Sequence, residues 1–321
     1  MVVDIPVDLH RLIFEMCAYS EPQTLPTLVL VSRSARSWTN PILYSVVTLW
    51  EQRTAELFLT TLEAPSSAHH ASLVRSLCLT KVVGHRRALR ILALCLNLTN
   101  LACWISHPDL YPILVSSGLH SPTTLSLSFA SLFRDPKRAH PDFASTLFAR
   151  VTHLEFKDEP QTWAGWTGFR RAPRLTHLAF ACHLSASTAD AAARAIRGIL
   201  ESCNTSLRVL LVLAPSRSHW RQPALDVDDP RLVHLTAPAD GIADWENLAR
   251  GDRNNIWTLA EDVVAKRTRY EVDVRSTNPC FHSQSNLLFG ASKYASRYVL
   301  RYILCSNKRY NVHIAVTQAM R

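Results

Sequence analysis

The apolar residues of this chain keep one period near its start and another through its middle. Leu9, Leu12, Ile13, Met16 and Cys17 recur three and four apart, the stripe of an amphipathic helix that must be buried against something. The helix is expected to start near Pro6, where a first turn tolerates a missing N–H and Asp4 can cap or favourably charge the N-terminus. Ser20 before Glu21-Pro22 marks a second start, and Leu25, Leu28 and Val31 carry the pattern on. A third short helix over 34–38 is stopped by Asn40-Pro41.

From Val74 the pattern changes. Two apolar residues three apart, then another two further on, return as Val74/Leu77/Leu79, Leu98/Leu101/Cys103, Pro122/Leu125/Leu127, Val151/Leu154/Phe156, Leu175/Leu178/Phe180, Leu207/Leu210/Val212 and Leu232/Leu235/Ala237. The central leucines step by 24, 24, 29, 24, 32 and 25 residues, on or slightly beyond the leucine-rich-repeat period of about 20–29. Between them, 86–96, 109–117, 142–149 and 187–202 can each form a returning helix. The clearest is 191–200, where Ser187 or Thr188 caps, Asp190 suits the first turn, and Ala195, Ile196, Ile199 and Leu200 face inward.

The expected fold class is therefore α/β: an N-terminal three-helix module followed by an irregular leucine-rich-repeat solenoid with parallel strands and helices on the convex side. The Asn or Cys of a regular repeat is absent after each strand, where Val82, Ser106, Ala130, Glu159, His183 and Pro215 stand instead. A doubly wound parallel sheet would also alternate strands and helices. Eight glycines supply neither GxGxxG nor GxxxxGK[ST] to support it. Residues 242–269, with Asp244-Trp245, Ile256-Trp257, Ala260-Glu261 and Ala265-Lys266-Arg267, read as one or two amphipathic helices that seal the last repeat.

Composition narrows the class further. A hydrophobic fraction of 47% with 19% charged residues over 321 positions suits a well-buried chain, far from the disordered class. The net charge of +9 is local: 271–321 hold seven Lys or Arg against Glu271 and Asp273, leaving about +4 before them. Asp4, Asp8, His10, Arg11 and Glu15 interrupt any signal-peptide core, and the apolar run 207–214 is far short of a span of about 20 residues. Eight cysteines lie scattered without a CxxC pair and read as reduced thiols. A soluble protein of the cytoplasm or nucleus is expected, with no membrane partner.

Residues 3–46 resemble the F-box motif in the form common in fungal proteins: Ile5-Pro6-Val7-Asp8-Leu9, Leu12-Ile13-Phe14-Glu15, Leu28-Val29-Leu30-Val31-Ser32-Arg33, Trp38 and Pro41-Ile42-Leu43-Tyr44. The resemblance implies that the first two helices dock on the Skp-type adaptor of a cullin-based ubiquitin ligase, with Pro6, Leu9, Ile13, Leu28 and Val31 as contacts. Irregular repeats usually follow such modules, and 242–269 also resembles the closing segment of fungal F-box-like proteins. Read from the apolar pattern alone, the same helices are a cap on the open end of whatever follows.

Side chains between the inward leucines point to the concave face. They are Ser76, Cys78, Asn100, Trp104, Thr124, Ser126, His153, Glu155, Lys157, His177 and His234. His153 and His177 should be neighbours about 4.8 Å apart on adjacent strands, either a pH-sensing or metal-chelating pair or two solvated histidines, with Glu155 the one carboxylate on those strands' outward positions. Neither GxSxG nor HExxH occurs. Cys182 beside His183 is expected to pack inward, and Cys280-Phe281-His282 lacks partners at ligand spacing. In the tail, Tyr294, Tyr298 and Tyr302 alternate with Arg297 and Arg301, either to stack on nucleic acid or an acidic membrane, or as a partly buried helix with snorkelling arginines.

The resulting expectation is a non-catalytic protein without cofactor or metal, divided into 1–46 (F-box-like module), 47–240 (solenoid), 241–270 (capping helices) and 271–321 (basic tail). Its partners would be a Skp-type adaptor, a cullin scaffold and a protein target. The target would lie on Trp104, His153, Glu155, Lys157, His177 and His234. A ligase-independent scaffold is the alternative. A hydrolase on an α/β sheet would instead require a polar pocket with a perturbed nucleophile at the strand C-terminal ends. Nucleic acid is not the expected partner.

Overall fold

The computed structural model describes residues 5–107, 110–116, 122–128, 142–157, 166–181, 186–203, 205–215 and 225–268. Asp4, Cys182-His183 and everything expected of the basic tail lie outside them. The chain divides into two compact units at Tyr44/Ser45.

In the first unit, α1 (Val7–Ser20) follows Pro6, and a 3₁₀ turn (Pro22–Thr24) leads into the short α2 (Leu25–Leu28). Then α3 (Arg33–Ser45) begins with Ser32 Oγ accepting from the Ala35 N–H at 3.0 Å. It does not stop at Asn40-Pro41 as expected but continues through Pro41. An interior proline costs about 3 kcal/mol, offset here because continuation buries Ile42 against Ala18 and Leu25, with Leu28 and Leu43 packed alongside. Phe14 and Trp38 add a ring contact at 6.1 Å.

The second unit is built on one eight-stranded sheet whose order is the order of the chain: β1 (Val46–Leu49), β2 (Ser76–Leu79), β3 (Asn100–Cys103), β4 (Thr124–Leu127), β5 (His153–Phe156), β6 (His177–Ala181), β7 (Val209–Ala214) and β8 (Leu232–Thr236). Every neighbouring pair is parallel. A doubly wound sheet reverses its order at a switch point; this one does not. Leu77, Leu101, Leu125, Leu154, Leu178 and Leu210 stand on one rung, in the expected register. Val47 extends the rung into β1, a strand not expected from the sequence. At the other end Leu232, not Leu235, pairs with Leu210.

Between strands lie α4 (Gln52–Glu63), α5 (His70–Leu73), α6 (His85–Leu94), α7 (Leu110–Ser116) and α8 (Ala186–Ser202). The helix expected over 142–149 is only a 3₁₀ turn, Thr146–Phe148, after Asp142 Oδ1 accepts from the Ala144 N–H at 3.1 Å and holds a local turn. Phe169, in the 3₁₀ turn Trp166–Arg171, meets both Phe156 and Phe180 and so packs on the leucine side of the sheet.

A threonine ladder runs along the strand starts. Thr99 Oγ1 donates to Arg75 O, Thr123 to Thr99 O, Thr152 to Thr123 O and Thr176 to Thr152 O, all at 3.0–3.1 Å. Each threonine sits two residues before a central leucine, so the repeat that sets the core also ties successive strands. Thr123→Val and Thr152→Val are expected to cost about 1 kcal/mol each, and Leu178→Ala about 2–5 kcal/mol, read from urea unfolding.

Candidate functional site

The face opposite the leucines carries three ranks of side chains, fixed by strand alternation and register. One rank is Val46, Ser76, Asn100, Thr124, His153, His177 and Val209; the next is Thr48, Cys78, Ala102, Ser126, Glu155, Ala179, Leu211 and Val233. Beyond the strand ends stand Thr80, Trp104, Ser128 and Lys157. Polar residues dominate over β1–β5 and apolar ones over β6–β8.

Two helices cover this face. They are the pair expected from 242–269: α9 (Gly241–Ala249) lies over the earlier strands and α10 (Ile256–Thr268) over the last ones, β7 and β8. Asp240 caps α9, its Oδ1 accepting from the N–H groups of Ile242 and Ala243 at 3.1 and 3.0 Å. Gly251, at φ 76°, takes the left-handed conformation needed just past the helix end. Asn255 caps α10 by accepting from Trp257 and Thr258. Asp244 Oδ1 accepts from the Ile256 N–H at 3.0 Å and joins the two.

α9 starts near Lys157 and reaches β1, where Thr48 Oγ1 donates to Glu246 Oε1 at 2.7 Å. Its Trp245, 3% exposed, fills the hollow above Cys78 and Ala102, where small side chains let the helix approach. α10 sets Ile256, Trp257 and Ala260 on Ala179, Val209, Leu211, Leu213 and Val233. At the edge of β8, Arg267 Nη1 donates to Leu232 O at 2.5 Å and satisfies a carbonyl that an open strand edge would expose.

The structure brings five of the six expected target-binding residues onto this face, but as members of its packing. Trp104 Nε1 donates to Ser126 Oγ at 2.8 Å, Ser126 donates to Glu155 Oε2 at 2.6 Å, and Glu155 Oε1 pairs with Lys157 Nζ at 2.6 Å. Lys157 Nζ then lies 4.9 Å from the Trp104 ring centroid, closing the loop with a cation–π contact. His153 and His177 do neighbour each other, their rings stacked at 4.1 Å, but Trp257 meets both edge-on. His177 is 4% exposed and His153 half-buried. Among the described residues no group of three or more His, Cys, Asp or Glu could hold a metal.

His234, the sixth, faces the other way. It pairs with Val212, whereas Val233 joins the apolar group under α10. A strand of period two sends every side chain to the opposite face when its register slips by an odd number of residues. The three-residue displacement of Leu235 from the leucine rung does so here.

Burial dominates the electrostatics. It pushes His153 and His177 down to about 4, aided by His177 acting on His153 and by Arg208 acting on His177. His234 also falls to about 4, through burial and then Arg267. Asp244 rises to about 6, through burial and then the Glu155 carboxylate, against the pull of Lys157 and the Ile256 N–H. His177 Nδ1 lies 2.8 Å from Thr176 Oγ1 and its Nε2 3.1 Å from Glu261 Oε1. The single hydroxyl proton of Thr176 can serve the ladder carbonyl or Nδ1, so the ring's tautomer is coupled to the ladder.

A scan against protein-family models, a search of curated proteins and a search of solved structures find no match to this chain. Among the described residues no helix is long and apolar enough to cross a membrane.

The two kinds of buried group respond oppositely to pH. Folded-state His values near 4 mean that the unfolded chain binds more protons below about 6.5, so stability falls as pH drops through that window towards 4. Asp244, raised to about 6, adds stability at low pH that is lost as pH rises through about 6. Asp244→Asn, which can still accept from Ile256, is expected to raise the melting temperature more at about pH 7.5 than at about pH 5. Replacing both His153 and His177 with Gln should flatten the acid limb between about 6.5 and 4 in the same thermal scans.

Proposed function

We propose that this chain is the substrate-recognition subunit of a cullin-type ubiquitin ligase, an F-box-type module carrying an irregular leucine-rich-repeat solenoid. The observation that carries the reading is an uncovered apolar stripe on α1. Leu9, Leu12, Ile13 and Met16 are 50–59% exposed at helical spacing, while the unit's own core forms on the other side from Ala18, Leu25 and Ile42. A helix that leaves such a stripe open presents it to a partner. Val31, 59% exposed, adds to the same unit's apolar surface, as does Leu30. Leu28 is half-buried against the core and belongs to the support of the surface. Pro6 is exposed at the start of α1, where it sets the helix.

In this reading the Skp-type adaptor receives the α1 stripe and links it to a cullin scaffold, so the transfer chemistry belongs to the partners. The second unit holds the protein to be modified. The sequential sheet with a leucine on the shared rung from β2 to β8 supports the solenoid reading, since each repeat packs on its chain neighbours.

Purified Skp-type adaptor should co-purify with the intact chain. Leu9→Asp or Ile13→Asp should weaken binding about 100-fold, as loss of a central interface anchor does, with the melting temperature unchanged because both side chains are exposed. Failure of the intact chain to bind adaptor contradicts the reading. Unchanged binding by both variants contradicts the assignment of the stripe.

A further inference from the structure

α9 and α10 are held to the sheet by different forces. α10 is apolar on apolar, with Ile256, Trp257 and Ala260 buried and Val263 and Val264 packed beside them. α9 contributes one large buried side chain, Trp245, whose Nε1 has no acceptor among the described residues. It also brings Asp244 to Glu155, so that burial and a like charge act on one carboxyl. Lys157 faces Asp244 from the sheet, and Glu246 on the same helix turns to Thr48.

Among the side-chain hydrogen bonds of the described residues beneath α9, the one made to α9 is that from Thr48 to Glu246. Trp104, Ser126, Glu155 and Lys157 are linked to one another across β3, β4 and β5 by two hydrogen bonds, an ion pair and a cation–π contact. Buried polar groups that lose their partners are costly, but these keep theirs when the helix leaves. What remains is a polar strip with a hollow over Cys78 and Ala102.

We infer that α9 is a releasable cover and α10 a fixed one, and that the strip across β1–β5 is the seat of the protein target. The inference rests on the reading of the chain as a recognition subunit. The segment that replaces α9 is a short helix with an aromatic side chain for the hollow over Cys78 and Ala102 and no carboxylate opposite Glu155.

Amide hydrogen exchange on the intact chain tests the cover, with α9 expected to exchange about tenfold faster than α10. Glu246→Ala, which removes the bond to Thr48, should speed α9 about tenfold further. Asp244→Asn should slow it, with α10 unchanged in both. Equal exchange of the two helices, or α10 moving in step with α9, overturns the releasable cover. A fluorescein-labelled peptide of residues 240–250 carrying Asp244→Asn tests the seat. It should bind the Glu246→Ala chain most tightly and the Asp244→Asn chain least. No binding, or equal binding to all three chains, overturns the seat. Neither substitution touches α1, so adaptor binding is measured on the same preparations, and its failure is distinguishable from failure of the cover.

Discussion

A sheet in which every strand pairs only with its chain neighbours, always in parallel, requires each connection to return the chain by one strand spacing in the same direction. The constraint is met here because each strand offers the same side of itself to the same core. Leu77, Leu101, Leu125, Leu154, Leu178 and Leu210 align. The threonine two positions earlier ties Thr99, Thr123, Thr152 and Thr176 into the preceding carbonyl. The polar ladder of this sheet thus stands before the strands. The loops beyond the strands are thereby free to vary, as the steps of 24 to 32 residues show they do.

The opposite face has a divided character, and its cover follows the division. β7 is apolar on both sides, so Val209, Leu211 and Leu213 need a layer above them just as Leu210 and Val212 need one below. α10 supplies it. Over β1–β5 the residues are small or polar, and α9 makes contact mainly through Trp245 and Glu246. One hairpin of helices thus joins a hydrophobic anchor to a weaker latch.

The leucine rungs were legible in the sequence because an apolar triplet repeated along the chain survives irregular spacing. Leu235 is read from the sequence as the seventh and last beat in place of Leu232, since either leucine can end the series and only hydrogen-bond register decides between them. That slip carried His234 to the wrong face. β1 was missed because Val46–Leu49 follows directly on α3 with no preceding turn. The threonine ladder could have been found, as it keeps step with the leucines. The folding of 241–268 onto the sheet was foreshadowed by the doubly apolar run 207–214 and by small residues at Cys78 and Ala102, but complementarity between Trp245 and that hollow is a tertiary fact. The stripe on α1 was readable as a surface to be buried; that it stands 50–59% exposed beside the described residues of its unit was not.

One rung of leucines runs unbroken from β2 to β8 of a parallel, sequential sheet. Methyl nuclear Overhauser contacts in a leucine-labelled sample test it most directly. A chain of contacts is expected from Leu154 to Leu178, to Leu210 and on to Leu232, with Leu235 absent from it. Contacts that skip a strand, or that join Leu210 to Leu235 in place of Leu232, would contradict it.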